Sequence, residues 1–432
     1  MAHSRTRTPW TANARNGWIY DRRLIGIGLF AGAALGAWVG RRPWPGARAD
    51  ATDNPPMIDW EHARGIAIAM NRGGAMTATE RSRLDQAYRE LVQRCVPIVA
   101  DYTGSALPPS LERTYAFDRV DWVNANLDGF ERMFSPLEAL NPRTEAPRTV
   151  AAVLWGGMNQ KVVSAELGAL LGYLARRVLG QYDLALLGRE PVTTGKLYFV
   201  EPNIRAIEQT LALPRDDFRM WLALHETTHA FEFEAHPWLR DHFNGLLERY
   251  FEFLREDADR LRQGGFRSLR IFVDRARNPD GSEGSWMEAL MSPEQRALFN
   301  QMQATMCMVE GYSNHVMNAV GRDLLPTYEL ISRKFELRQQ QRTMSEQLFA
   351  RLTGLHVKME QYRLGEAFIN RIVEERGHSF VRRIWDGPDL LPTMEEIRQP
   401  RLWLSRMDSR DAAAIPTDGM PAPAVVGSEM RH

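Results

Sequence analysis

Two cysteines in 432 residues are too few for a disulfide framework, and Cys95 and Cys307 stand too far apart for a Cys-x-x-Cys metal site. Both fall in apolar helical patterns, which points to buried free thiols, with a single bridge as the alternative. Charge of one sign is missing as well. The 54 basic residues balance 54 acidic ones, so no overall field attracts nucleic acid, and no nucleic-acid partner is expected. Long hydrophobic runs are scarce: the candidate is Leu24 to Gly40, about seventeen uncharged residues, at the short limit for spanning a bilayer. There is no internal repeat. What remains is an ordinary globular composition, 44% hydrophobic and 25% charged, in a chain long enough to bury a substantial core.

Residues 1–50 read as a basic and apolar N-terminal segment, residues 51–410 as one catalytic domain, and residues 411–432, rich in Ala and Pro, as a disordered tail. Within the first segment, Gly28, Gly32 and Gly36 at four-residue spacing suit close helix packing in lipid. The preferred reading is a single membrane anchor over residues 24–40, hence a membrane-associated protein. Arg5, Arg7, Arg15, Arg22 and Arg23 outnumber Arg41, Arg42 and Arg48, which favours an inside N-terminus and an outside domain. A cleaved export signal is the second reading, since twin arginines precede the apolar stretch and Ala47-Arg48-Ala49 resembles a cleavage site. The third is a cytoplasmic protein, with a misassigned start or a glycine-rich helix packed on the domain.

The densest chemical signal is His225-Glu226-Thr227-Thr228-His229, an H-E-x-x-H motif in a run that reads as one helix, Asp217 to Ala235. Residues four apart share a helix face, so both imidazoles can address one ion, and Glu226 can take a proton from a water beside it. The pattern proposes Zn2+ held by His225 and His229, with Glu226 as general base. Upstream, Lys196 to Val200 reads as a strand that would offer its edge to an extended substrate.

A catalytic zinc takes three protein ligands. His236 falls one position late for the long metzincin pattern and lies about 10 Å along the helix from His229, so it is set aside. Glu232 shares the histidine face, yet three ligands from one straight helix rarely close a tetrahedron, which suggests an outer or surface role. Glu310, in the helical run Leu298 to Val320, is the better third ligand, because a carboxylate in so apolar a helix is costly to bury unless paired or metal-bound. Asn314, one turn on, is placed to orient a zinc histidine. Tyr312 and His315 are candidate oxyanion stabilisers, with ordinary packing as the alternative for each.

Elsewhere the pattern is helix after helix: Thr77 to Thr103 with a capping-box-like start, Asn159 to Tyr182 as a buried central helix including Val162, Tyr250 to Gln263 as a solvated one, a loop over Asn278 to Ser285, and amphipathic stretches over Arg333 to Arg376 broken near Gly354. The fold class is mainly α, with a small sheet.

Several signposts run in order: Ile58-Asp59-Trp60, Tyr102-Thr103-Gly104, Asp118 to Asn126, Val200-Glu201-Pro202-Asn203, Asp217 to Trp221, the His225 motif, Val309-Glu310-Gly311-Tyr312, Gln361 to Gly365 and Leu391 to Ile397. On these the chain resembles the zincin-like metallopeptidase family associated with biosynthesis of the deazaflavin coenzyme F-420, over roughly Asp59 to Arg406. Family members often carry Gly-His where this chain has Gly311-Tyr312. The resemblance implies a mostly helical zincin-like fold, a mononuclear zinc on His225 and His229, and Glu226 as base. The expected function is a zinc hydrolase, a metallopeptidase acting on a peptide or small amide substrate. The alternatives are a non-catalytic zincin-fold binding protein, or a small-molecule amidohydrolase linked to the deazaflavin coenzyme.

Overall fold

Capping side chains fix where the first helices begin. In the computed structural model, which describes residues 58–106, 113–138, 150–183, 196–253, 256, 291–340 and 355–414, Asp59 accepts from the His62 amide at 2.9 Å and opens α1 (Trp60–Met70). Thr77 does the same for Glu80 at the head of α2 (Ala78–Thr103), which stops where Gly104 turns left-handed at φ +66. Strand β1 (Thr114–Phe117) then leads to α3 (Arg119–Glu138), whose amides at Val120 and Asp121 each donate to Asp118 Oδ1 at 2.9 Å. Next come α4 (Val150–Ala175), β2 (Gly180–Asp183), β3 (Lys196–Val200), α5 (Glu201–Thr210) and α6 (Arg215–Glu234). A helix over 237–253, α7, precedes α8 (Pro293–Leu324), α9 (Tyr328–Gln340) and α10 (Leu355–Arg376). The short α11 (His378–Val381), two 3-10 turns, α12 (Met394–Arg398) and α13 (Pro400–Ala414) complete a mainly α fold.

The described strands form one mixed sheet in the order β1-β3-β2, with β3 parallel to β1 and antiparallel to β2. Strand β3 is therefore central and hydrogen-bonded on both sides, so the expected free edge at Lys196 to Val200 is corrected: the outer position beside α6 belongs to β2. The expected helix over Asn159 to Tyr182 is corrected for the same region. It ends at Ala175, where Asn203 Nδ2 donates to the Ala175 carbonyl at 2.8 Å and the Val178 carbonyl at 2.7 Å, satisfying terminal acceptors and turning the chain into β2. Val162, expected in the core, is 53% exposed.

Two apolar cores meet at this sheet. Because side chains alternate along a strand, Leu197 and Phe199 face the larger core, with α2, α6, the C-terminal part of α8 and α10. Val200 faces a second core with α1, α3, α4, α7 and the start of α8. Helices α6 and α8 are buried along most of their length, which an apolar stripe on one face would not require.

Cys95 and Cys307 are buried free thiols. Among the described residues no helix is long and apolar enough to cross a membrane, so the expected transmembrane anchor and membrane-associated location are corrected: the structure contributes no span. Even α4, the most apolar helix, is interrupted by Lys161 and Glu166. The segment 24–40 lies outside the described residues, as do the loop over 278–285, the break near 354 and most of 250–263. The expected tail starts at Asp411, whereas α13 runs on to Ala414 and Arg383 pairs with Asp411 at 2.6 Å.

Candidate metal centre

Helix α6 carries the H-E-x-x-H residues in an unbroken buried run, Phe218 through Phe233. Two networks, one partly buried and one buried, hold it in register. At its start, Asp216 and Asp217 suit the positive end of the helix dipole, and Asp217 Oδ2 accepts from Thr327 through both the amide (3.1 Å) and the hydroxyl (2.5 Å). Thr327 follows α8, so this contact ties the two long central helices together. One turn along, buried Arg219 donates to Glu208 Oε1 at 2.6 Å and Glu201 Oε1 at 2.8 Å, and Tyr88 donates to Glu201 Oε2 at 2.5 Å. The Glu201 carboxyl is desolvated, yet these donors hold it below its ordinary range.

Helix α8 brings Glu310 to the histidines. It begins in a reciprocal capping box between Ser292 and Gln295 and passes so close to α10 that Gly311 and Gly365 touch backbone to backbone. A methyl group on Gly365 would run into the Cys307 carbonyl, and one on Gly311 into Gly365 itself. Glycine on both helices is what allows this approach next to Glu310.

The donor atoms of His225, His229 and Glu310 lie within 4.8 Å of one another, all buried. The two Nε2 atoms are 3.1 Å apart, His225 Nε2 lies 3.8 Å from Glu310 Oε2, and His229 Nε2 lies 3.6 Å from Glu310 Oε1. Ligands at about 2.0–2.1 Å in a tetrahedron sit about 3.3 Å from each other, so these residues fit a zinc-sized ion, and two imidazoles with one carboxylate are a zinc-type donor set. Grouping them in a dry interior is costly without such compensation.

The ring of His229 is fixed from behind. Its Nδ1 lies 2.9 Å from Glu232 Oε2 and 3.0 Å from Ser313 Oγ, so Nε2 is left to face the cluster. Glu232 thus stands behind a histidine and not among the three converging groups. The sequence pointed to Asn314 as the orienting residue, but Asn314 makes no hydrogen bond to either histidine, and Ser313 has that place. At about 100° per residue, positions 313 and 314 both return to the Glu310 face, so helical spacing alone narrows the choice to these two. Replacing Glu232 with Ala is expected to weaken zinc binding about 10- to 100-fold in a chelator competition, with Gln intermediate. Unchanged affinity would show that the carboxylate does not support the ring.

Tyr312 and His315 are not among the three converging groups. At about 200° and 140° from Glu310, both turn off the metal face. Burial first, and the Glu232 carboxylate second, keep the Tyr312 hydroxyl protonated far above the ordinary tyrosine range, and its ring packs edge-on against Trp385 at 5.3 Å. His315 spans Tyr102 Oη (2.8 Å, at Nε2) and Asn370 Oδ1 (2.6 Å, at Nδ1), and burial pushes its pKa down to about 4. In the neutral form, Nδ1–H donates to Asn370 and Nε2 accepts from Tyr102, so no N–H is left for a substrate oxygen. His236 stacks on Trp385 at 5.7 Å.

Glu226 is 1% exposed and lies against Gly180, the first residue of β2, a neighbour that nothing in the sequence signalled.

Three comparisons bear on this arrangement. A crystal structure of a proposed hydrolase with a novel fold, from Chloroflexus aurantiacus, is similar at 40% identity with a TM-score of 0.59, over 81% of this chain and 99% of that one. No curated protein matches the chain. Neither finding bears on coenzyme F-420. Residues 58–404, from the cap of α1 into α13 and through both helices of the metal centre, match the zincin-like metallopeptidase family, and the chain belongs to that family.

Proposed function

We propose that the protein is a zinc-dependent hydrolase of amide bonds, a metallopeptidase in which His225, His229 and Glu310 hold the metal and Glu226 is the general base. The observation that carries this reading is the convergence of three buried donor groups within 4.8 Å, two of them on the helix that also presents Glu226. When bound, zinc supplies Lewis-acid chemistry, polarising a carbonyl and making water nucleophilic near neutral pH. Glu226 accepts one proton from the attacking water as its oxygen bonds to the carbonyl carbon. As the C–N bond breaks, the same carboxyl returns that proton to the departing nitrogen, so one group serves as base and then as acid. Glu232 and Ser313 keep His229 turned toward the metal. Tyr312 and His315 are assigned no catalytic part.

Strand β2, outermost among the described residues and beginning against Glu226, supports an extended peptide as substrate, laid along its backbone. The depth of the centre favours a second reading, a small amide in place of a protein chain, since all the groups named are almost fully buried. Turnover of a blocked dipeptide amide with none of a longer peptide would select the small substrate; the reverse would select the peptide.

The experiment that tests the metal assignment is elemental analysis of wild type, His229→Ala and Glu310→Ala. About one zinc per chain is expected in wild type, none in His229→Ala, and weakened retention in Glu310→Ala. Equal zinc in all three would remove the proposed ligand set.

A further inference from the structure

We propose that Gly180 is the positioning residue of Glu226: the missing side chain at the head of β2 is what lets the base's carboxylate lie where it does. A methyl group at Gly180 would stand 2.5 Å from Glu226 Oε1 and 2.8 Å from both its Cδ and its Cγ. Non-bonded heavy atoms in favourable contact sit about 3.5–4.0 Å apart, so any other residue at 180 displaces this carboxylate or the strand. The glycine is not needed for its own backbone, because Gly180 is absent from the positive-φ positions, where glycine has its advantage. Glycine also weakens a strand interior, and its usual reason for being there is the close approach of another group.

The strand itself cannot easily retreat. Gly180 sits in register with Phe199, the neighbouring Leu179 carbonyl accepts from the Val200 amide at 2.8 Å, and Asn203 grips the Val178 carbonyl at 2.7 Å. Helix α6 is equally fixed, by its burial and by the Asp217 and Arg219 contacts. What yields is the Glu226 side chain, and with it the placement of the proton acceptor. The catalytic meaning rests on Glu226 being the base, as proposed above; the contact does not.

The test uses full-length, zinc-supplied Gly180→Ala, Glu226→Ala and the double variant. A crystal structure of Gly180→Ala is expected to keep zinc on its three ligands while the Glu226 carboxylate moves by about 1 Å or more. In thermal melts the double variant is expected to melt no lower than Glu226→Ala alone, because Ala lacks the Cγ, Cδ and Oε1 atoms that the added methyl would meet. An unmoved carboxylate beside a displaced strand, or melting losses that simply add, would overturn the proposal. If Gly180→Ala does not fold, folding of the double variant supports the proposal, and failure of both overturns it. No substrate is required, so wild type inactive on every amide would sink the hydrolase reading and leave this contact standing, whereas additive losses would remove the positioning role alone.

Discussion

Glu226→Gln protein is expected to keep about one zinc per chain while its turnover falls by about 10²- to 10⁴-fold, the range supplied by a positioned general base. Glutamine matches the shape of the side chain that packs against Gly180, so the helix and the three converging donors are undisturbed. Under the proposed mechanism, what it loses is a carboxylate able to hold the transferred proton between the attack of water and the departure of the amine. Zinc content and turnover measured on the same sample separate the outcomes. Loss of zinc would make Glu226 part of the metal centre itself, and activity within about tenfold of wild type would place the proton on another group.

Gly365→Ala is expected to destabilise the protein by about 3 kcal/mol or more, at or beyond the upper end for overpacking, because the added methyl meets the Cys307 carbonyl and no flexible side chain can give way. With about 2.1 cal/mol/K of unfolding entropy per residue over residues 58–414, each kcal/mol shifts the melting temperature by about 1.3 °C, so it should fall by about 4 °C or more. Helices α8 and α10 can accommodate the methyl only by separating, and Gly311, which touches Gly365, is covalently next to Glu310. Zinc retention should therefore weaken together with stability. Gly65→Ala is the matched control. Gly65 is exposed on α1 with nothing within 4 Å of where the methyl would go, and the change should be neutral or stabilising by up to about 1 kcal/mol. Equal melting shifts for the two variants would show that the α8–α10 contact is not tight.

The parts of the fold that were legible in the sequence are those written in local spacing. Thr77 before Glu80, the i,i+4 histidines, and Glu310 one turn from small polar residues in an apolar run are all visible within a few residues. Most of the ordered signposts turn out to be fastening points. Asp59 and Asp118 cap helices, Gly104 ends α2, Asn203 closes α4 onto β2, and Thr393 and Glu396 form a capping box that also holds Arg406. What the sequence hid depends on partners far along the chain. That β3 is central follows from a strand more than seventy residues earlier, because Thr114 pairs with Leu197. Strand β2 is hard to part from the preceding helix in the sequence, because the stretch from Leu174 to Tyr182 is broken only by Arg176, Arg177 and Gln181, and a short buried run does not declare its period. Whether Ser313 or Asn314 meets His229 is decided by how α8 crosses α6, which no spacing within α8 contains.

The ligands of this centre are unevenly distributed in time as well as in space. During synthesis His225 and His229 are made 85 and 81 residues before Glu310, and Gly365, the α10 glycine that packs beside Glu310, follows 55 residues later still. A chain still being made therefore carries two of the three converging groups before the third exists. The close contact between Gly311 and Gly365 can form only once α10 has been made, so the packing beside Glu310 is completed late in synthesis, long after the helix that carries both histidines.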